Sequence, residues 1–236
     1  MARLQRLPGA AFAAHSSMAV VAGVAQALSL AWPWNGAPQW WLQIVSLAVL
    51  AWLVRAPTPW RRAVWLGWAF ATAWLAATFW WLFISMHTYG GLAAPLASAA
   101  VLGLAAFLGT YYAVALGLFA RLAPTHRALA AIVFAALWLL AELARGTLWT
   151  GFPWGAGGYA HVQGPLSALA RTVGVYGVGF VAAVLAMLLA QARTRDLRSL
   201  RAWALVAGGA LVLVCAGLQR QCAIESCHTP ARQPSA

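Results

Sequence analysis

Seven stretches of this chain run about as long as a lipid bilayer is thick and carry almost no charge, and that pattern limits what the polypeptide can fold into. A hydrocarbon core of ~30 Å takes about 20 helical residues to cross, and apolar runs occur at 12–32, 40–54, 63–86, 92–120, 128–144, 172–191 and 202–218. Backbone polar groups in lipid must be satisfied within the segment, which leaves helices or closed barrels. A barrel would show ~10-residue segments of alternating polarity, and these runs are unbroken. A soluble alternative fails on composition: the chain is 64% hydrophobic and 8% charged, where a soluble domain carries about 25% charged residues. The expected fold is therefore an all-α integral membrane protein with about seven transmembrane helices in a bundle. Residues 1–218 form its membrane domain, and 219–236 form a tail outside the membrane. The run at 40–54 is the shortest and the least secure span.

The net charge of +12 does not point to nucleic acid, because the basic residues, all arginine, stand singly or in short groups between apolar runs. They do set an orientation. Arg3, Arg6, Arg55, Arg61, Arg62, Arg121, Arg127, Arg193, Arg195, Arg198 and Arg201 fall on one side of the expected membrane, whereas Arg145, Arg171, Arg220 and Arg232 fall on the other. Arginine-rich short loops stay in the cytoplasm, so the amino terminus is expected inside and the carboxyl terminus in the periplasm. Arg3 and Arg6 before an apolar run could mark a signal peptide, but His15, Ser16 and Ser17 interrupt its core, and an uncleaved first span is expected. Small residues in the fourth run, Gly103, Ala105, Ala106 and Gly109, permit close helix contact. No cofactor or metal is expected. Cys222, Cys227 and His228 in the tail lack a fourth ligand, and Cys215 lies in an apolar run.

Of the three acidic residues, only Glu142 falls at a membrane span, where an ionisable group is costly and needs a partner. Arg145 stands at i+3, on the same helical face, and a Glu142–Arg145 pair is expected. On its own such a pair can simply close the helix and anchor the next connection. That connection is unlike the others: Gly146, Trp149, Thr150, Gly151, Phe152, Pro153, Trp154 and Tyr159 lie in a stretch too broken for a helix and too apolar for water. Irregular backbone at membrane depth is tolerated where protein buries it or a cavity adjoins it. The stretch is expected to be a long interfacial or re-entrant loop whose rings can sit among lipid headgroups or acyl chains. Trp32, Trp34, Trp40 and Trp41, together with the loop's own rings, also fit an aromatic belt at the membrane interface.

With these spacings in view, the chain resembles the bacterial apolipoprotein N-acyltransferases. The resemblance rests on Glu142-x-x-Arg145-Gly146-x-x-x-Thr150-Gly151-Phe152-Pro153-Trp154, then Gly158-Tyr159, Gly164-Pro165-Leu166, Ala170 and Gly174-Val175. It implies a multi-pass protein of the bacterial inner membrane, acting in lipoprotein biosynthesis. The activity it implies moves an acyl chain from a membrane phospholipid to the amino group of a diacylglyceryl apolipoprotein. In that family the chemistry belongs to a nitrilase-like domain with a Glu, a Lys and a Cys. The present sequence has no lysine, so that triad cannot be assembled from it and no catalytic residue is expected. The tail, with Pro230 and Pro234, resembles the start of a linker to that domain. The chain is therefore expected to be a truncated product or one piece of a split gene, inactive alone, with a separately encoded nitrilase-like domain as a candidate partner. The alternative from another class is a non-enzymatic membrane scaffold or transporter using Glu142 as an intramembrane switch.

Overall fold

The computed structural model describes residues 9–55 and 57–192. They are helical throughout, with no strand among the described residues. The long helices are α1 (Gly9–Leu30), α2 (Trp40–Val54), α3 (Trp60–Thr78), α5 (Ala94–Leu122), α6 (Arg127–Thr147) and α7 (Ala170–Gln191), with a short α4 (Trp80–Ile84) after α3. Four of them, α1, α5, α6 and α7, are long and apolar enough to cross a bilayer. A fifth crossing is present if α3 and the segment after it count as one bent span, and α2 is a shorter apolar helix. The expected seventh run, 202–218, and the tail with its cysteines lie outside the described residues.

Most helices begin and end close to where the apolar runs do, because the same bilayer width sets both. The run at 63–86 is the exception. Its apolarity predicts one span, but the structure breaks it at Phe79 and bends the two halves by 52°. Two local causes are visible. Thr78 donates its hydroxyl to the carbonyl of Trp74 four residues back, a bond that bends helices. Phe79 then leaves helical geometry (φ −95°, ψ 15°) and is fully buried edge-on against Phe152, 4.8 Å between ring centroids. Beyond the break, α4 buries no side chain and passes into a π-turn, Ser85–Tyr89.

The six long helices touch in a closed ring, in the order α1, α3, α5, α6, α7, α2 and back to α1. The tightest seam is α3 on α5. There Gly109 lets the backbones approach, since a Cβ on it would come within 2.9 Å of the Thr72 hydroxyl. Gly103, one of the small residues expected to serve the same purpose, faces open space instead. The core between α3, α5 and α6 is aromatic: Trp74 and Trp138 stack at 5.8 Å, and Tyr112 lies 4.8 Å from Trp138. Such pairs add about 0.5–1.5 kcal/mol each beyond their buried area.

Candidate functional site in the α6–α7 connection

Residues 148–169 join α6 to α7, and the last turn of α6 holds them in place. Arg145 is fully buried, with its guanidinium 5.9 Å over the Trp74 ring. Its Nε donates to the Tyr112 hydroxyl at 3.0 Å. Its Nη1 donates to two loop carbonyls, Phe152 at 2.6 Å and Trp154 at 2.7 Å. The Phe152 amide returns the contact to the carbonyl of Arg145 at 2.8 Å. Charge-assisted bonds of this kind are roughly twice as strong as neutral ones. A cation here gathers the bonds that irregular backbone would otherwise lack.

Glu142, one turn earlier and also fully buried, does not form the expected direct pair with Arg145. No ion pair between them occurs among the described residues. Glu142 Oε1 instead accepts the Gly157 amide at 2.9 Å, and Oε2 faces Gly179 of α7, where a Cβ would lie 3.2 Å away. The direct pair is absent because both groups find backbone partners in the loop. Anchoring of the loop, the other half of that expectation, is present in the geometry: Arg145 takes its carbonyls and Glu142 one of its amides.

Between these anchors the chain is strained. Trp149 (φ 55°) and Thr150 (φ 74°) both sit at positive φ, ahead of Gly151 at φ 75°. A β-branched residue there is a steric outlier, and such strain collects where surrounding structure imposes it. Gly151 packs directly on the carbonyl of Gly146, which leaves no room for a side chain. Trp149, Thr150, Pro153, Trp154 and Tyr159 are exposed, with Trp149 at 83%. Gly146 and Phe152 are half-buried beneath them. Trp154 also meets Trp81 of α4 edge-on at 6.0 Å, so the broken half of the third run shares the aromatic rim with the loop.

The loop then turns inward. A 3-10 turn, Gly157–His161, is buried at four of its five residues and contacts α7, α1 and α2. Gly158 must be glycine here, because a Cβ would collide with the carbonyl of Val175. That contact accounts for the two motif segments, Gly158-Tyr159 and Gly174-Val175, lying together. His161 is held by Gln43 of α2, Nε2 to Oε1 at 3.2 Å, and burial pushes its pKa down to about 4. Gln26 of α1 and Gln43 are fully buried beside it. None of His161, Gln26, Gln43 or Tyr112 stands out from the sequence reading above. The signal was available for the glutamines, since each is a lone carboxamide inside an apolar run.

Comparison with known proteins shows the family. Residues 12–188 match the family described as the apolipoprotein N-acyltransferase N-terminal domain. An apolipoprotein N-acyltransferase of Verminephrobacter eiseniae is 65% identical over 216 residues, covering 90% of this chain and 40% of that protein. One of Ralstonia nicotianae is 51% identical over 71% of this chain and 33% of its own length. One of Pseudomonas putida is 41% identical over 73% and 34%. The chain thus spans two fifths or less of these relatives, and on the strength of the domain match and these identities it belongs to the apolipoprotein N-acyltransferase family.

Proposed function

We propose that this chain is the membrane part of an acyl-transferring system. In this reading it presents phospholipid and diacylglyceryl apolipoprotein at the 148–169 loop, and acyl transfer itself requires residues that these 236 do not contain. The observation that carries the reading is the double grip of Arg145 on the Phe152 and Trp154 carbonyls. It turns the exposed rings of Trp149, Trp154 and Tyr159 outward from one end of the bundle, where they meet lipid headgroups and acyl chains. Nucleophilic transfer through a thioester needs an activated thiolate with a base and a charge stabiliser nearby. The sequence has no lysine for the last role.

In the same reading the protein has seven spans in the bacterial inner membrane, amino terminus inside and carboxyl terminus in the periplasm. Arg55, Arg62 and Arg127 support this, because they line one cavity at the end of the bundle remote from the loop, as basic cytoplasmic turns should. A nitrilase-like catalytic domain, covalently joined or separately encoded, would act above the loop.

The test uses the full chain in nanodiscs containing a photoreactive phosphatidylethanolamine with a labelled acyl chain, plus a diacylglyceryl-cysteine peptide. Crosslinks should concentrate on peptides covering 146–162, with no label reaching the peptide. Crosslinks spread evenly along all helices would sink the lipid-facing loop. Acyl transfer lost on Cys222→Ala or Cys227→Ala would place a working nucleophile in this chain and overturn the division of labour.

A further inference from the structure

The inserted turn brings an unusual concentration of unsatisfied polar atoms to the middle of the helix ring. Gln26 Nε2 and Oε1, Gln43 Nε2, Glu142 Oε2 and His161 Nδ1 are all buried without a hydrogen-bond partner. The four side chains come from α1, α2, α6 and the 3-10 turn, and each is at most 1% exposed. Three of them converge on Gly157, where a Cβ would lie 3.2 Å from both glutamine Nε2 atoms and 3.5 Å from Glu142 Oε1, and His161 joins them through its bond to Gln43. Native proteins leave few buried polar groups unpaired, and each one costs about 1–3 kcal/mol.

We propose that Gln26, Gln43, Glu142 and His161 enclose a site for ordered water, which bonds the inserted turn to the helix ring. The mixture of donors and acceptors selects the ligand. The acceptors are Gln26 Oε1 and Glu142 Oε2. In the tautomer that lets His161 Nε2 donate to Gln43 Oε1, the neutral ring's Nδ1 is an acceptor as well. The donors are the two glutamine amides. A bound cation satisfies acceptors only and is repelled by amide N–H groups, whereas water both donates and accepts and makes about three bonds in a buried site. A cavity reaches one member of the cluster, His161. Gly158, Ser167 and Val175 also help to line this cavity of about 190 Å³, which ends among the exposed Tyr159 and Val162. It is several times the ~30 Å³ a water molecule occupies.

The test is water-edited solid-state NMR on the full chain in lipid bilayers, uniformly labelled with nitrogen-15, with Gln26→Met and Gln43→Met used to assign the glutamine side-chain signals. Polarisation should pass from water to the Gln26 and Gln43 amides several-fold faster than to the backbone amide of buried Ala135, and at a rate comparable to exposed Gln163. Build-up as slow as at Ala135 would overturn the proposal. Thermal unfolding gives an independent sign. Gln26→Met should lower the melting temperature if water joins the cluster, because the water and its other partners lose a bond. A rise would show that Gln26 was a dry orphan and overturn the proposal as well.

Discussion

At one end of the bundle, Arg55, Arg62 and Arg127 line a cavity of about 770 Å³ together with His15, and Arg55 lies 5.6 Å over the Trp52 ring. At the other end Arg145 is shut away from solvent, with its Nε committed to Tyr112 and its Nη1 to two loop carbonyls. Counted as charges, these arginines differ only in which side of a membrane they mark. Their surroundings divide them: Arg55 reaches the Ala190 carbonyl of α7 and Arg62 the ring of His15, both outside the core, while Arg145 is buried and supplies donors to the carbonyls of Phe152 and Trp154 in an irregular segment. A basic residue that breaks the charge pattern of a membrane protein therefore repays a search for unpaired backbone nearby.

The largest expected effect comes from removing those donors. Arg145→Ala leaves two carbonyls and the Tyr112 hydroxyl without their donor, at about 1–3 kcal/mol for each buried group left unsatisfied. Arg61→Ala, at an exposed position at the opposite end, should leave the melting temperature in detergent unchanged. Equal effects of the two would erase the distinction between the ends.

The next effect concerns His161, the other buried basic group at the loop end. Its folded pKa, about 4, is below the unfolded value near 6.5, so the unfolded chain binds more protons between those values. Stability contributed by the neutral ring is present above pH ~6.5 and is lost as pH falls towards 4, at up to about 1.4 kcal/mol per unit. Partial exposure of the ring to the adjoining cavity would reduce that figure. Melting curves across this window should flatten in His161→Gln, and an unchanged slope would remove His161 as the cause.

How much of this is legible in the sequence depends on what sets each feature. The limits of α2, α5 and α6 are legible because helix breakers bound unbroken apolar runs there, Gly36 and Pro57 around α2, Gly91 and Pro124 around α5. The break at Phe79 is not, because apolarity is unchanged across 63–86 and the bend comes from one side-chain bond and a ring supplied by residue 152. Glu142 and Arg145 stand out as charges at a membrane span. Their partners stay hidden because a carbonyl or an amide has no letter of its own, and the sequence suggests only the nearest opposite charge. The turn at 157–161 reads as part of an interfacial loop, and nothing in its composition announces that four of its five residues are buried.

The smallest expected effect tests whether strain on the loop side is retained for use. Trp149 occupies left-handed geometry (φ 55°, ψ 48°), which costs a non-glycine residue roughly 1–2 kcal/mol. Trp149→Gly should raise stability by about that amount while lowering crosslinking to photoreactive lipid. A drop in stability would mean that the exposed ring packs against the protein, and unchanged crosslinking would remove it from the lipid-facing rim.

Arg145 recognises main-chain oxygen, which every amino acid carries at the same place. Its hold on positions 152 and 154 is therefore indifferent to the side chains there, and substitutions that alter the rim's shape or hydrophobicity need not disturb its placement. Placement and surface can diverge separately within one short segment: Arg145 fixes where the loop lies, and the exposed rings can change without moving it.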